Sequence, residues 1–85
     1  MAGETLLDAR GLSCPLPLLL ARRRMAELAA GETLLVLATD PEAPIDLAAW
    51  AAEEGHVFVE RRAHAGAPDE APRRGWLELA VRKGG

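Results

Sequence analysis

The chain has 85 residues, a net charge of −3 and 49% apolar residues, which is the composition of a globular protein and not of a disordered one. A chain of this length buries about 60–65% of its unfolded surface, so we expect one domain over residues 1–85 with a small core of two layers. The acidic balance argues against nucleic acid as a direct, electrostatically held partner.

Six elements are predicted, and glycine and proline mark most of their limits. Gly31 and Gly55 follow the two predicted helices as C-terminal stops. The second helix is expected to begin at Pro44 and not at Pro41, because Pro44 would clash inside a helix that began earlier. Residues 63–75, rich in alanine, proline and glycine, predict a hairpin loop. In chain order the elements are a strand over 4–8, a helix over 15–30, a strand over 33–38, a helix over 44–54, and strands over 56–62 and 76–82.

The order βαβαββ constrains where the helices lie. Each strand–helix–strand step is expected to be a right-handed crossover, so both helices should cover the same or adjoining sheet surface. The first helix has one apolar stripe expected to face the sheet, formed by Leu18, Ala21, Met25, Leu28 and Ala29. The second has two competing stripes, one of Leu47, Trp50 and Ala51 and one of Ile45, Ala48, Ala49 and Ala52. We favour the stripe with Trp50, because an indole is costly to leave in water.

Cys14 is the only cysteine of the chain and stands at the predicted start of the first helix. If Cys14 is the N-cap, Pro15 and Pro17 lie in the first turn, where a missing N–H costs no helical hydrogen bond. The N–H of Leu16 would then face the sulfur, and the helix dipole would lower the pKa of the thiol. The alternative is a buried structural cysteine with Ser13 as the N-cap.

The residues that follow Cys14 could form a docking surface. Three leucines fall outside the core stripe of the first helix: Leu16, Leu19 and Leu20. They form either an exposed apolar patch beside the thiol or part of a wider core face. Three arginines come next: Arg22, Arg23 and Arg24. We expect a solvated face, with a basic rim that guides an acidic partner as the alternative.

Other chemistry is not supported by the residue pattern. One cysteine cannot form an internal disulfide, and a reactive thiol persists best in a reducing compartment, so we expect the cytoplasm. Neither a secretory signal nor an apolar run of membrane length is visible. His56 and His64 lack the spacing of a metal site, and no base is paired with Cys14, so we expect no metal, no cofactor and no hydrolase. Asp40 and Asp46 flank the start of the second helix, where carboxylates stabilise exposed N–H groups.

The segment Leu7-Asp8-Ala9-Arg10-Gly11-Leu12-Ser13-Cys14-Pro15-Leu16-Pro17 resembles the signature of the TusA/SirA-like sulfur-carrier family. Its specific element is Cys-Pro-x-Pro at the turn from the first strand to the first helix. The likeness continues through Gly31-Glu32, Thr39-Asp40-Pro41, Asp46-Leu47, Trp50, Gly55-His56 and Arg82-Lys83-Gly84-Gly85. The resemblance implies an α/β (α+β) two-layer sandwich, in which a four-stranded mixed sheet carries two helices.

The same resemblance implies a sulfurtransferase that acts as a carrier and does not turn over on its own. Cys14 would accept sulfane sulfur as a persulfide, framed by Pro15, Leu16 and Pro17, and pass it to an acceptor protein. The donor would be a cysteine desulfurase or a rhodanese, and the sulfur would end in tRNA thiolation, in molybdenum-cofactor enzymes or in sulfur oxidation. We expect no direct contact with nucleic acid or membrane. The candidate docking residues are Arg10, Leu19, Leu20, Arg23, Asp40 and Asp46.

Position 16 departs from the family pattern, because an acidic residue is common there and this chain has Leu16. Two other functions remain open. One is a carrier that uses Gly84-Gly85 as a C-terminal thiocarboxylate, although such carriers open with a hairpin and this chain opens strand–helix–strand. The other is a regulatory module that docks a partner through Leu16, Leu19 and Leu20 without sulfur transfer.

Overall fold

The computed structural model describes residues 3–64 and 75–84. The predicted order of elements, βαβαββ, is confirmed. β3 runs two residues further than expected, and most of the predicted hairpin loop, residues 65–74, lies outside the described residues. The elements are β1 (Glu4–Ala9), α1 (Leu16–Met25), β2 (Thr33–Ala38), α2 (Ala43–Glu54), β3 (Val57–His64) and β4 (Trp76–Arg82).

The four strands form one mixed sheet in the order β1-β2-β4-β3. β1 and β2 are parallel, whereas β4 runs antiparallel to both of its neighbours. α1 packs on β1 and β2, α2 packs on β3, and the two helices contact each other. Both helices therefore lie on one face of the sheet, which confirms the two-layer sandwich and the expectation for the helices.

The core lies between that sheet face and the helices. On β2 the alternate residues Leu34, Val36 and Ala38 are fully buried, as the two-residue period of a strand requires. α2 contributes the preferred stripe of Leu47, Trp50 and Ala51. The competing stripe faces away from the core, with Ile45 62% exposed and Ala48, Ala49 and Ala52 exposed.

The first helix is shorter than predicted, because it ends at Met25 and not at Ala30. The Lys83 ammonium donates hydrogen bonds to the carbonyl oxygens of Met25 (3.1 Å) and Leu28 (2.6 Å). The first bond occupies the carbonyl of the last residue of α1, and the second occupies a carbonyl in the turn that follows the helix. Gly31 is not the C-terminal stop of the helix; it has φ +89° in a later turn, where its N–H donates to the carbonyl of Lys83 (2.9 Å). The predicted stripe residue Ala29 lies beyond α1 and is exposed.

The second helix begins one residue before the predicted start. Ala43 is its first residue and Pro44 its second, a position where the missing N–H has no intrahelical partner to lose. The N–H of Ala43 donates to the carbonyl of Asp40 (3.0 Å). Gly55 ends α2 in the left-handed conformation, at φ +78°, and the N–H of His56 donates to the carbonyl of Ala51 (2.8 Å). The predicted C-terminal stop of α2 is confirmed.

Candidate functional site

The turn between β1 and α1 is tied to the end of the neighbouring strand. The N–H of Leu12 donates to the carbonyl of Ala9 (3.2 Å), and the N–H of Gly11 donates to the Thr39 hydroxyl (2.9 Å). Gly11 adopts φ +84°, a conformation that other residues rarely adopt. Thr39 directly follows β2, which is parallel to β1, so both strands end at the same edge of the sheet. The turn presents Cys14 at that edge with an exposed side chain.

The helix after Cys14 does not begin as predicted. Pro15 occupies the N-cap position, and Pro17 is the second residue of α1. The N–H of Leu16 donates to the carbonyl of Ser13 (2.9 Å), so it is not directed at the sulfur. The peptide bond between Cys14 and Pro15 is cis. Cys14 as N-cap is therefore wrong, and so is the alternative of a buried cysteine behind an N-cap at Ser13.

The groups that contact Cys14 come from the start of the second helix. The thiol donates a hydrogen bond to Oδ2 of Asp46 (2.9 Å), a residue in the first turn of α2. The backbone N–H of Cys14 donates to Oδ2 of Asp40, which follows β2. The other oxygen of Asp40 accepts the N–H of Glu42 (2.9 Å). One carboxylate thus holds the backbone of Cys14 and another holds its sulfur.

This arrangement reverses the predicted shift of the thiol pKa. The hydrogen bond to Asp46 raises the pKa of Cys14 to about 11, with further contributions from desolvation and from the charges of Asp46, Asp40 and Glu42. The N–H groups of Glu42 and Cys14 lower the pKa of Asp40. The prediction of a lowered thiol pKa is wrong, because it considered only the dipole of α1 and not the carboxylates that α2 brings to the sulfur.

Sequence reasoning located the two aspartates at the start of α2 but did not bring them to the thiol. It assigned no role to Thr39, whose hydroxyl accepts a hydrogen bond from the N–H of Gly11, and it missed Glu42, whose charge adds to that of the two aspartates. A usable signal was present in the parallel pairing of the first two strands. In that pairing Ala9 lies opposite Ala38, so the residues that follow each of them must be neighbours.

The leucines beside Cys14 do not share one environment. Leu16 and Leu19 are exposed, whereas Leu20 is partly buried and packs against the core. Leu20 therefore follows the alternative of a wider core face. Leu19 and Arg23 line an open groove of about 600 Å³ between the two helices. Their docking role stays a prediction, as do the docking roles of the remaining candidates.

The predicted framing and arginine positions can also be located. Pro15 is exposed, and Pro17 is fully buried against the core layer. Arg10 donates from two guanidinium nitrogens to the carboxylate of Asp8 (2.9 Å each), and its guanidinium lies 5.0 Å from the ring centre of Trp76. The bonds from Arg10 lower the pKa of Asp8 to about 2. The three arginines of α1 are exposed, as expected for a solvated face: Arg22, Arg23 and Arg24.

Gly84 has a packing role in the fold. Its N–H donates to Nδ1 of His56 (3.0 Å), and a Cβ placed on it would lie 1.8 Å from the carbonyl oxygen of Gly55. No other residue fits at that separation without movement of the backbone. The presence of glycine at position 84 is thus explained by the close approach of two chain segments.

The fold and the site together define a class: a small two-layer α/β protein that presents one exposed thiol at the turn from its first strand to its first helix. The family described as "Sulfurtransferase TusA" matches residues 5–68. The chain therefore belongs to the TusA family of sulfur carrier proteins, as the sequence resemblance predicted. Over residues 3–64 and 75–84, neither helix has the length and apolar character needed to cross a membrane.

Individual relatives support the same assignment. The sulfur carrier protein TusA of Allochromatium vinosum is 40% identical over 60 residues, which are 71% of this chain and 79% of that protein. The sulfur carrier protein TusA of Pseudomonas aeruginosa (strain LESB58) is 38% identical over 63 residues, 74% of this chain and 80% of that protein. YrkF of Bacillus subtilis is 44% identical over 59 residues, 69% of this chain, but the match spans only 32% of YrkF.

A solved structure confirms the fold. The crystal structure of a SirA-like protein from Desulfitobacterium hafniense superimposes with a TM-score of 0.70 and covers 95% of this chain and 99% of its own. The two sequences are 24% identical, so this likeness concerns the fold alone.

Proposed function

We propose that the side chain of Cys14 carries the transferred sulfur in this protein and relays sulfane sulfur as a persulfide between two other proteins. The observation that carries the proposal is the placement of the only cysteine, exposed at the sheet edge within the Cys-Pro-x-Pro motif of the family. The thiol must be reached by a donor protein, and the persulfide that results must be reached by an acceptor protein. The sulfur of Cys14 therefore has to be exposed.

The loading step is a transfer between sulfur atoms. Cys14 loses its thiol proton, its sulfur attacks the outer sulfur of a donor persulfide, and a new S–S bond forms as the donor S–S bond breaks. The donor leaves as a thiol that takes up the proton. In the unloading step an acceptor thiol attacks the outer sulfur held on Cys14, and Cys14 returns to the thiol. Neither step needs an external oxidant or reductant.

The single cysteine fits a relay between proteins. A second thiol in the same chain would attack the inner sulfur, close a disulfide and release the outer sulfur as hydrosulfide, and this chain has no second cysteine. We infer a donor that is itself a persulfide-forming protein, either a cysteine desulfurase or a rhodanese, in the cytoplasm. The exposed side chains of Leu16 and Leu19 beside the thiol support docking of these proteins at the start of α1.

Transfer of one sulfur atom can be measured directly by intact mass. The purified protein is incubated with a desulfurase and cysteine, or with a rhodanese charged by thiosulfate, and then analysed without reductant. We expect a gain equal to one sulfur atom that dithiothreitol removes. Peptide mapping should place the added sulfur on Cys14.

Two variants separate this function from the alternatives. Cys14→Ala should gain no sulfur from either donor, and sulfur acquired by that variant would contradict the proposal. Deletion of Gly85 keeps the bond between Gly84 and His56 and should leave loading unchanged, whereas a Gly-Gly thiocarboxylate carrier would lose it.

The pathway can be identified through the partners. A Cys14→Ser bait keeps the shape of the site but cannot exchange sulfur, so it should retain donor and acceptor proteins in a pull-down. Recovery of a desulfurase would indicate thiolation of tRNA or of a cofactor. Recovery of a rhodanese with proteins that resemble heterodisulfide reductase would indicate sulfur oxidation.

A further inference from the structure

The charged residues closest to the sulfur in the site are all acidic. On α2, the carboxylate of Asp46 accepts a hydrogen bond of 2.9 Å from the thiol, and Glu42 lies at the N-cap position. From the loop after β2, Asp40 accepts the N–H of Cys14. Residues 39–46 hold these three acids and no basic residue, and residues 11–17 hold no charged residue at all.

We propose that Asp46 is a positioning and specificity-determining residue of the sulfur site: its carboxylate holds the thiol proton of Cys14 and favours reaction partners that bring a positive charge to the sulfur. The proposal rests on the proposed function of Cys14 as the sulfur acceptor. It deepens that function by naming the chemistry of the partner surface, which would place a lysine, arginine or protonated histidine beside the reacting sulfur.

In the free protein, the carboxylates disfavour the thiolate form of Cys14. A thiolate beside Asp46 would be an anion at hydrogen-bond distance from a second anion, with Asp40 and Glu42 adding repulsion. The thiol form instead donates its proton to Asp46 and is stabilised. Because the thiolate is the nucleophile, we expect the free protein to react slowly with small oxidants and alkylating agents.

The charge of an approaching partner changes the balance between thiol and thiolate. A cation that approaches Asp46 offsets the carboxylate charge, weakens its hold on the thiol proton and stabilises the thiolate. An anionic molecule that approaches the same place adds repulsion to the transition state of attack. The site therefore discriminates by charge between cationic protein partners and small anionic thiols such as glutathione.

Charged thiol reagents test this discrimination without a natural partner. Aminoethyl methanethiosulfonate is cationic and sulfonatoethyl methanethiosulfonate is anionic; each forms a mixed disulfide with a thiolate and releases methanesulfinate. Cys14 is the only cysteine, so the reaction reports on this site alone. The rate of each reagent with Cys14 is divided by its rate with free 2-mercaptoethanol, because this corrects for the different intrinsic reactivities of the two reagents. We expect the corrected ratio of cationic to anionic rate to be well above one in the unmodified protein.

Asp46→Asn removes the charge and keeps the shape of the side chain. The corrected ratio should fall severalfold. The midpoint of the pH–rate profile with neutral iodoacetamide should move to lower pH. Because the Asp46 charge no longer opposes the thiolate, its population at neutral pH rises by more than its nucleophilicity falls, so alkylation should accelerate severalfold. Asp46→Glu, which restores the charge, should bring the midpoint back towards the parent value.

Glu53→Gln is the matched control, because it makes the same change of net charge at an exposed position near the other end of α2. It should change neither the ratio nor the midpoint. Equal profiles for Asp46→Asn and the unmodified protein would overturn the inference, as would an equal response from Glu53→Gln. If Asp46→Asn unfolds, Asp40→Asn gives the second measurement and should lower the same ratio to a smaller degree. Sulfur loading followed by mass remains a separate result, so this inference can fail while the proposed function stands.

Discussion

The two helices begin in the same way but act on the sulfur in opposite ways. Each has a proline as its second residue, Pro17 in α1 and Pro44 in α2, and the described residues show no side-chain hydrogen bond at either N-cap. α1 begins two residues after Cys14 and has no acid in its first turn. α2 is remote in sequence but carries Asp46 to the thiol. The helix that is next to the cysteine in sequence is therefore not the helix that determines the charge state of the thiol.

The comparison shows how distance decides between two electrostatic effects. A helix N-terminus acts as about half a positive charge, spread over N–H groups. In α1 the N–H of Leu16 is turned towards Ser13 and does not point at the sulfur. Asp46 offers a full negative charge at hydrogen-bond distance. The carboxylate dominates, and the pKa of the thiol rises to about 11.

The largest expected effect comes from a substitution that weakens the packing of α2, the helix that carries Asp46. Leu47 is fully buried beneath α2, so Leu47→Ala leaves a cavity in a small core and should lower the free energy of unfolding by about 2–5 kcal/mol. Urea denaturation followed by tryptophan fluorescence measures this change. Ile45→Ala makes a similar deletion on the same helix at a position 62% exposed, and should cost less than about 0.5 kcal/mol. Equal losses from the two variants would show that α2 is not held by its Leu47 face.

Most of the fold could be predicted because its signals are local. The alternation of Leu34, Val36 and Ala38 fixes the buried face of β2, and the period of Leu47 and Trp50 fixes that of α2. The end of α1 could not be predicted in this way. The ammonium that bonds the carbonyl of its last residue belongs to Lys83, 58 residues after Met25.

In the candidate site, too, the features set by neighbouring residues could be predicted and those set by residues remote in sequence could not. The exposure of Cys14 follows from its place in a turn between two elements, and sequence motifs indicate it. Its charge environment depends on Asp46, which is 32 residues away and reaches the thiol only after α2 has packed on the sheet. Local electrostatic reasoning about α1 therefore gave the wrong direction for the thiol pKa.

The second prediction concerns the opposite ends of the helices, which differ as much as their beginnings. α2 ends at a left-handed glycine, whereas the last residue of α1, Met25, has its carbonyl bonded by the side chain of Lys83. Lys83→Met removes two charged hydrogen bonds and should lower the free energy of unfolding by about 1–2 kcal/mol. Hydrogen exchange should also accelerate at the amides of the last turn of α1, while those of α2 stay protected.

Arg82→Met is the control for Lys83→Met, because it removes the same charge from an exposed neighbouring residue. Its effect should stay within about 0.5 kcal/mol. Faster exchange throughout both helices in Lys83→Met would mean that the lysine supports the whole fold and not the end of α1 in particular.

The third and smallest effect is a dependence of stability on pH. Its direction shows whether the dipole of α1 or the carboxylate on α2 determines the pKa of the Cys14 thiol. The pKa of Cys14 in the folded protein, about 11, lies above the value of about 8.5 for an unfolded cysteine. The folded state therefore holds the proton more tightly, and Cys14 adds stability below about pH 8.5 that is lost as the pH rises through the folded pKa.

The difference in Tm between the unmodified protein and Cys14→Ser should consequently shrink by a few degrees at most between about pH 8 and 11. Thermal unfolding by circular dichroism in the presence of a reductant measures it. In an Asp46→Asn background the same difference in Tm should change less with pH, because the carboxylate that contributes most to the raised pKa is gone. If the dipole of α1 governed the thiol, the difference would instead grow as the pH rises from about 6 to 8.5, since a lowered pKa stabilises the folded thiolate in that range.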